Sequence, residues 1–419
     1  VDAPGGLLTA VIGVVALASV IVSPAYLQTV STGLVRETRR ARLYFTLLFG
    51  FWAVLAAVPL VGNLGGAWLL VEATTAASAL LVGFSGRPRA LEAGWKYLIL
   101  TSLGLGVALL GIVLLAASAH GGLDALSWRE LRRIDPSGDR ALVAYVLLLA
   151  GLAAKVGWAP VHNWLPDAHA EAPAPISALL SAALLPAVLL VAWRASGALA
   201  PAVGASTANS VLLGFGLLSL AVAVPFLWRP LPWKRLLAYS SLEHMGVLAL
   251  GIGFGTPLAL AGVAVHLAGH AVAKALGFYA AVPLLAHAGG ASSRAVGGIA
   301  RTQPALGTAM GISLGALSGL PPSPLFASEV LIVAGGFAAG RPWTAGAAAL
   351  LLVLGFLGLA HALIETLAGR PRGDRAEATG IRGVTLLAGV ALAVLLALAG
   401  AALWLPGSEL AHALTEGIH

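Results

Sequence analysis

Apolar residues in this chain run in long blocks with short polar stretches between them. The blocks fall at 7–30, 43–62, 64–84, 96–119, 141–160, 174–195, 207–228, 235–255, 258–286, 303–340, 344–368 and 381–404. Blocks of about 20 apolar residues match the length a helix needs to cross the hydrocarbon core of a bilayer. Two blocks carry a break. Block 141–160 ends in Gly157-Trp158-Ala159-Pro160, and block 303–340 is cut at Leu320-Pro321-Pro322. Proline removes a backbone donor, and in lipid the freed groups need protein or water partners. Read as one interrupted span, 303–340 brings the count to twelve. The expected fold class is an all-α polytopic membrane protein. The two broken spans lie five spans apart, so they run in opposite directions, and interrupted helices at matching places in inverted repeats point to a transport site.

Composition agrees. Of the 419 residues 59% are hydrophobic and only 10% are charged, against roughly 25% charged in soluble domains. Soluble, disordered, coiled-coil and fibrous readings are excluded. Cysteine is absent, which excludes disulfides and thiolate chemistry. The chain begins with Val1 and has no leader-like n-region, so it reads as processed or cut from a longer chain.

The charges that remain set orientation, because Lys and Arg concentrate in cytoplasmic loops. Arg36, Arg39, Arg40 and Arg42 follow the first span, Arg87, Arg89 and Lys96 the third, and Arg229, Lys234 and Arg235 the seventh. Arg294 and Arg301 follow the ninth, and Arg370, Arg372 and Arg375 the eleventh. All five exits fall on one side of a twelve-span chain, which places both termini outside. The loop at 120–140 fits less well: it should be outside, yet carries Arg129, Arg132, Arg133 and Arg140, balanced by Asp124, Glu130, Asp135 and Asp139. A short amphipathic helix is expected around Trp128–Arg133.

A few ionisable residues fall within the spans, where each costs at least ~2.5–3.5 kcal/mol on insertion scales and is a functional candidate by default. They are Glu72, Lys155, His266, His270, Lys274 and Glu329. His266, His270 and Lys274 are spaced i, i+4, i+8, one stripe on a helix, which suits a proton relay. Metal binding by the two histidines is the rival, but the glutamate of an HExxH motif is absent and no third ligand stands out. Glu72 and Lys155 carry opposite charge on different spans, and together they read as a switchable or static ion pair. His162, Asp167, His169 and Glu171 cluster after the break in the fifth span, a polar loop or a place where protons enter. Glu243 and His244, near the cytoplasmic end of their span, are further candidates for that uptake role. No phosphate-binding loop, nucleophile elbow or dinucleotide fingerprint is present.

Four motifs resemble one family. Lys155-Val-Gly-Trp-Ala-Pro-Val-His162-Asn-Trp-Leu-Pro-Asp167-Ala-His169, Lys234-Arg-Leu-Leu-Ala-Tyr-Ser-Ser-Leu-Glu243-His244-Met-Gly, His266-x3-His270-x3-Lys274, and Ser318-Gly-Leu-Pro-Pro with Ser328-Glu329 stand in the order found in proton-translocating antiporter-like subunits. These occur in respiratory complex I, Mrp antiporters and membrane-bound hydrogenases. Glu243 and the stretch Glu92-Ala-Gly-Trp-Lys-Tyr-Leu-Ile-Leu look most like component F of hydrogenase-4 and formate hydrogenlyase complexes. The resemblance implies one membrane domain over 1–419, with inverted five-helix repeats at 41–195 and 207–369 and a final helix at 381–404. It implies that the first span here matches the family's third. It also implies that Glu72, Lys155, Lys274 and Glu329 are the family's path residues, with His266 and His270 beside them. The chain departs from the pattern at Ser181 and Pro186, where other members carry His or Lys, so the link from Lys155 to Lys274 is expected to run through water or other groups.

The function expected is proton translocation by a membrane subunit of a hydrogenase-like or NADH dehydrogenase-like complex in a prokaryotic inner membrane. No metal or cofactor is expected in this chain; iron-sulfur, NiFe or flavin groups would belong to partner subunits. An Mrp-type cation/proton antiporter subunit, the membrane subunit of an inorganic carbon uptake complex and a non-conducting scaffold subunit are the alternatives.

Overall fold

A bilayer core offers no water to backbone amides, so a spanning chain must bond its amides internally, and helices do this locally. A computed structural model of the chain describes residues 2–29, 34–118, 125–133, 139–288, 297–370 and 381–404. Apart from short turns, everything regular in them is helical. The helices are α1 (Ala3–Thr29), α2 (Leu34–Ala57), α3 (Leu64–Val82), α4 (Pro88–Ser118), α5 (Trp128–Leu131) and α6 (Asp139–Val156). Next come α7 (Leu165–Glu171), α8 (Ala174–Leu179), a π-helical turn at Leu180–Leu184, α9 (Leu185–Val203), α10 (Ala205–Leu227), α11 (Trp233–Phe254) and α12 (Pro257–Ala288). The chain continues through α13 (Ile299–Thr302), α14 (Pro304–Leu317), α15 (Pro324–Ala338), α16 (Pro342–Ala368) and α17 (Ile381–Ala402).

Ten of the described helical segments are long and apolar enough to cross a membrane. The protein is therefore an all-α, multi-pass membrane protein. The expected short helix near Trp128 is α5, capped by the Ser127 side chain. Arg294, Arg372 and Arg375 lie outside the described residues.

The helices form an inner group and an outer ring. The segment 174–203, α11 and α12 are almost wholly buried, while α1 to α4, α16 and α17 bury well under half of their apolar stretches. Ile21, Leu69, Leu103, Leu350 and Leu386 point outward, as a lipid-facing surface requires. Helix α12 sits at the centre, against α1, α8, α11, α14, α15 and α17.

Hydrophobic burial does not drive association inside lipid, so the closest helix pairs rely on small residues that let backbones approach. A Cβ at Gly104 of α4 would lie 2.4 Å from the Ala154 Cβ of α6, and one at Gly151 would lie 2.3 Å from the Ala108 amide nitrogen. The pair α10 and α11 repeats the device: a Cβ at Gly216 or at Gly246 would sit 2.9 Å from the other glycine's carbonyl oxygen.

Both sequence breaks are real interruptions. Helix α6 stops at Val156 and the chain resumes as α7; α14 stops at Leu317 and resumes as α15. Each gap holds a left-handed glycine, Gly157 at φ 83° and Gly319 at φ 74°, a conformation that favours glycine. The peptide bonds before Pro160 and Pro322 are cis. Side chains take up the freed backbone groups. At the first gap the Trp164 indole donates to the Ala154 carbonyl at 2.6 Å and the Ser219 hydroxyl accepts from the Ala159 amide at 3.1 Å, while the Trp158 indole ties the gap to α11 by donating to the Met245 carbonyl at 2.9 Å. At the second, the Ser318 hydroxyl donates to Gly315 at 2.9 Å, and Ser323 caps α15 by accepting from Phe326 at 3.2 Å.

The N-terminal helix is tied down separately. Asp2 caps α1 by accepting from the Gly5 amide at 2.9 Å and takes two hydrogen bonds from Arg194 of α9, at 2.6 and 3.0 Å. Arg194 also donates to the Pro59 carbonyl at 2.8 Å. Asp2 precedes the spanning segment. Burial works against its charge, but the Arg194 hydrogen bonds and positive charge outweigh that and hold the carboxyl below its ordinary value of 3.8.

Candidate functional site

Buried polar groups in a low-dielectric interior need partners, and following those partners traces the site. Glu72 of α3 is half-buried, and its Oε1 accepts from the Ser102 hydroxyl of α4 at 2.6 Å. Lys155, near the end of α6, is fully buried. Its ammonium donates to the Thr75 hydroxyl at 2.8 Å and to the Tyr97 hydroxyl, and it lies 4.3 Å from the Tyr97 ring centroid. Tyr97 in turn meets Ser78 at 2.7 Å. The expected direct pair of Glu72 and Lys155 is not formed: among the described residues no ion pair joins them, and Thr75 and Tyr97 hold the ammonium instead. Glu72 and Thr75 are three residues apart and share a face of α3, but Thr75 is the one that meets Lys155, and the Glu72 carboxylate is taken by Ser102 of α4.

Beyond Lys155 the polar groups continue through aromatic rings and hydroxyls. The Tyr97 ring packs 4.8 Å from Trp164, Trp164 packs 6.1 Å from His169, and His169 packs 5.9 Å from Phe278 of α12. His169 is fully buried, and its Nδ1 lies 2.9 Å from the Leu165 carbonyl. A carbonyl only accepts, so Nδ1 carries the hydrogen and Nε2 is left as a bare lone pair; no partner meets it. Ser181 lies in the π-helical turn just before Pro186, which cannot donate to the turn behind it. The Ser181 hydroxyl meets that of Ser241 in α11 at 2.7 Å. Next to it in α11, the Ser240 hydroxyl accepts from the ammonium of Lys274, which also donates to the Leu237 carbonyl. Serine hydroxyls thus stand where the sequence left the link open.

Lys274, His266 and His270 are fully buried on α12. Glu243 and His244, expected near the cytoplasmic end of their span, lie midway along α11, and both are buried. His244 Nδ1 is 3.0 Å from His266 Nε2, and His266 Nδ1 is 2.8 Å from the Ser328 hydroxyl of α15. The ring centroid of His244 lies 5.0 Å from those of both His266 and His270. His244 therefore supplies the third imidazole that the sequence did not reveal, because it stands on another helix. Glu243 turns toward α16, where a Cβ at Gly355 would lie 1.9 Å from its Oε1. Glu329 folds back on the second break, where a Cβ at Gly319 would lie 2.8 Å from its Oε2.

The loop candidates divide. His162 and His169 are buried. Asp167 faces the basic side of the molecule, bonded to Arg235 and 3.5 Å from Lys96; Glu171 reaches Arg87 at 3.6 Å. Lys234 donates to the Ala170 and Ala172 carbonyls at the end of α7, where a cation complements the helix dipole. Arg40 reaches the Phe84 and Ser85 carbonyls at 3.5 and 3.4 Å. Arg40 in the first turns of α2, the connection from α3 to α4 and the start of α11 therefore meet on one face with α7. Helix α5 lies near the connection from α2 to α3, with the Trp128 indole donating to Val61 at 2.9 Å.

Comparison with known proteins places this architecture. The profile of the NADH:quinone oxidoreductase/Mrp antiporter transmembrane family matches residues 61–355. A hydrogenase-4 component F homolog from Methylacidiphilum infernorum is 35% identical over 338 residues, covering 79% of this chain and 70% of the relative. The NADH-quinone oxidoreductase subunit N of Desulforudis audaxviator is 30% identical over 352 residues, covering 81% of this chain and 66% of the relative. Among solved structures, a chain of the Mrp complex from Dietzia sp. superposes with a TM-score of 0.81 at 20% identity, covering 98% of this chain and 83% of that one. At that identity the superposition speaks for the fold. The matched profile spans both helix breaks and every one of the buried ionisable residues, and the chain belongs to the NADH:quinone oxidoreductase/Mrp antiporter transmembrane family.

Proposed function

We propose that the chain translocates protons as an antiporter-like membrane subunit of a larger redox complex of hydrogenase or NADH dehydrogenase type. The observation that carries this reading is the run of ionisable groups and hydroxyls, most of them buried, from Glu72 and Ser102, through Lys155, Thr75 and Tyr97, past Ser181, Ser241 and Ser240, to Lys274, Glu243, the three histidines and Glu329. Buried charges are expensive in a membrane and persist where they carry ions or protons. In this reading the chain has no redox chemistry of its own, and a redox module elsewhere drives it through neighbouring membrane subunits.

The same reading makes twelve spans. It counts α6 with α7, and α14 with α15, as interrupted spans beside the ten long segments. We take residues 41–195 and 207–369 as the two inverted repeats, a reading supported by the two interrupted spans, each of which stands fourth in its half. The face bearing Arg40, Arg87, Lys234 and Arg235 is cytoplasmic by the positive-inside rule, and both chain ends lie on the other side. Asp167 lies on that face and His162 and His169 are buried; protons would be taken up through these three. The test is affinity capture of the tagged chain from its native membrane, with mass identification of partners, followed by flux assays. Co-purified redox subunits and redox-driven acidification without sodium are expected. Sodium-dependent flux with no redox partner would contradict the proposal and favour an Mrp-type exchanger.

A further inference from the structure

Three imidazoles meet at one buried point between α11, α12 and α15. His244, His266 and His270 each offer a ring nitrogen within 4.8 Å of the others, and all three residues are buried. Both ring nitrogens of His270 and Nε2 of His244 have no hydrogen-bond partner. Buried nitrogens in that condition call for an explanation.

The hydrogen-bond chain shows where the lone pairs point. The Ser328 hydroxyl donates to the Leu325 carbonyl at 2.8 Å. Its oxygen is then free to accept, so His266 Nδ1, 2.8 Å away, carries a hydrogen and donates it. That leaves His266 Nε2 as a bare lone pair aimed at His244. The Ser181 carbonyl lies beside His270, and the Leu317 carbonyl beside His244. Each imidazole thus has a hydroxyl or carbonyl neighbour outside the cluster and a nitrogen facing into it. Metal-bound histidines are arranged this way: the outer nitrogen donates to a carbonyl, carboxylate or similar group, which fixes ring orientation. The size also fits. Zinc–nitrogen bonds of about 2.0–2.1 Å in a tetrahedral site put ligand nitrogens ~3.3 Å apart, and His244 Nδ1 and His266 Nε2 are already 3.0 Å apart. A nitrogen of His270 lies within 4.8 Å of both.

We propose that His244, His266 and His270 form a binding site for a first-row divalent transition ion of the zinc class. Three neutral imidazoles suit such an ion, and the fourth position stays open for a water. The site stands on its own geometry and not on the proton-path reading. If both hold, a bound ion would occupy nitrogens the path uses, and metal would inhibit flux; metal binding without inhibition would count against the path alone.

The test uses the protein purified in detergent with its co-purifying partners, stripped with chelator and titrated with Co2+. One equivalent of Co2+ per chain is expected, with the intense visible absorption of a tetrahedral site and displacement by Zn2+. His244→Gln and His270→Gln should each weaken binding at least ~10-fold, and Ser328→Ala, which deletes no ligand, by ~10–100-fold. His361→Gln, on the exposed side of α16, should change nothing. Absence of the tetrahedral absorption in the wild-type chain would overturn the proposal, as would binding that His270→Gln and Ser328→Ala leave intact. Should the histidine variants fail to fold, Ser328→Ala decides.

Discussion

Gly355 offers a sharp perturbation, because the structure fixes what a methyl group there would do. The added Cβ would lie 1.9 Å from Oε1 and 3.0 Å from Cδ of Glu243. Carbon and oxygen atoms do not approach below ~3 Å, so Gly355→Ala must push the carboxylate away by about 1 Å or more. The global cost should be small. Alanine is favoured over glycine in a helix by ~0.8–1.0 kcal/mol, while an off-rotamer side chain costs ~0.5–1.5 kcal/mol, and the two nearly cancel. The functional cost should be large, since misplacing a reacting group by ~1 Å can slow a step ~100-fold. We expect Gly355→Ala to melt within a few degrees of wild type while proton flux in reconstituted vesicles of the intact complex falls ~100-fold. In a Glu243→Gln background the same substitution should add nothing. Flux within twofold of wild type, or an equal loss in the Glu243→Gln background, would refute a proton-carrying role for Glu243.

Two other sites give independent predictions. Ser241→Ala deletes the partner of the Ser181 hydroxyl and leaves a space smaller than a water. A charge crossing that gap without the hydroxyl faces an added cost of ~2.5–3.5 kcal/mol, about a hundredfold in rate, read as proton flux with assembly unchanged. Asp2→Asn removes a carboxylate whose charge the fold stabilises. Because the folded state holds that carboxyl below its ordinary value of 3.8, its contribution is complete above that value and fades as pH falls through the depressed one. The melting temperature of Asp2→Asn should therefore trail wild type at neutral pH and converge with it in strong acid; a constant gap across the acid range would contradict the Arg194 pairing.

The sequence carried the spans, the two breaks and the buried ionisable residues, because each is a property of one segment. Twenty apolar residues are legible without their neighbours, and so are Gly157 with Pro160 or a lysine inside an apolar run. What it did not carry is how each helix is rotated toward the next. Glu72 and Lys155 read as a pair by charge alone, yet α3 presents Thr75 to α6 and leaves the carboxylate to Ser102. His244 belongs with His266 and His270 only once α11 lies against α12. The partners of Tyr97, Ser181, Ser240, Ser241 and Ser328 were hidden for another reason: hydroxyl residues are cheap in spans, and nothing along the chain shows what each hydroxyl meets. Gly355 is one of 52 glycines, and nothing in its neighbours along the chain shows that a carboxylate rests against it.

In the proposed function the buried lysines carry protons and are not structural anchors. Proton flux into vesicles holding the intact complex, compared for wild type, Lys155→Ala and Lys274→Ala, tests it most directly. Both variants should assemble with their partners and lose coupled proton transfer. Normal flux from both variants would contradict it.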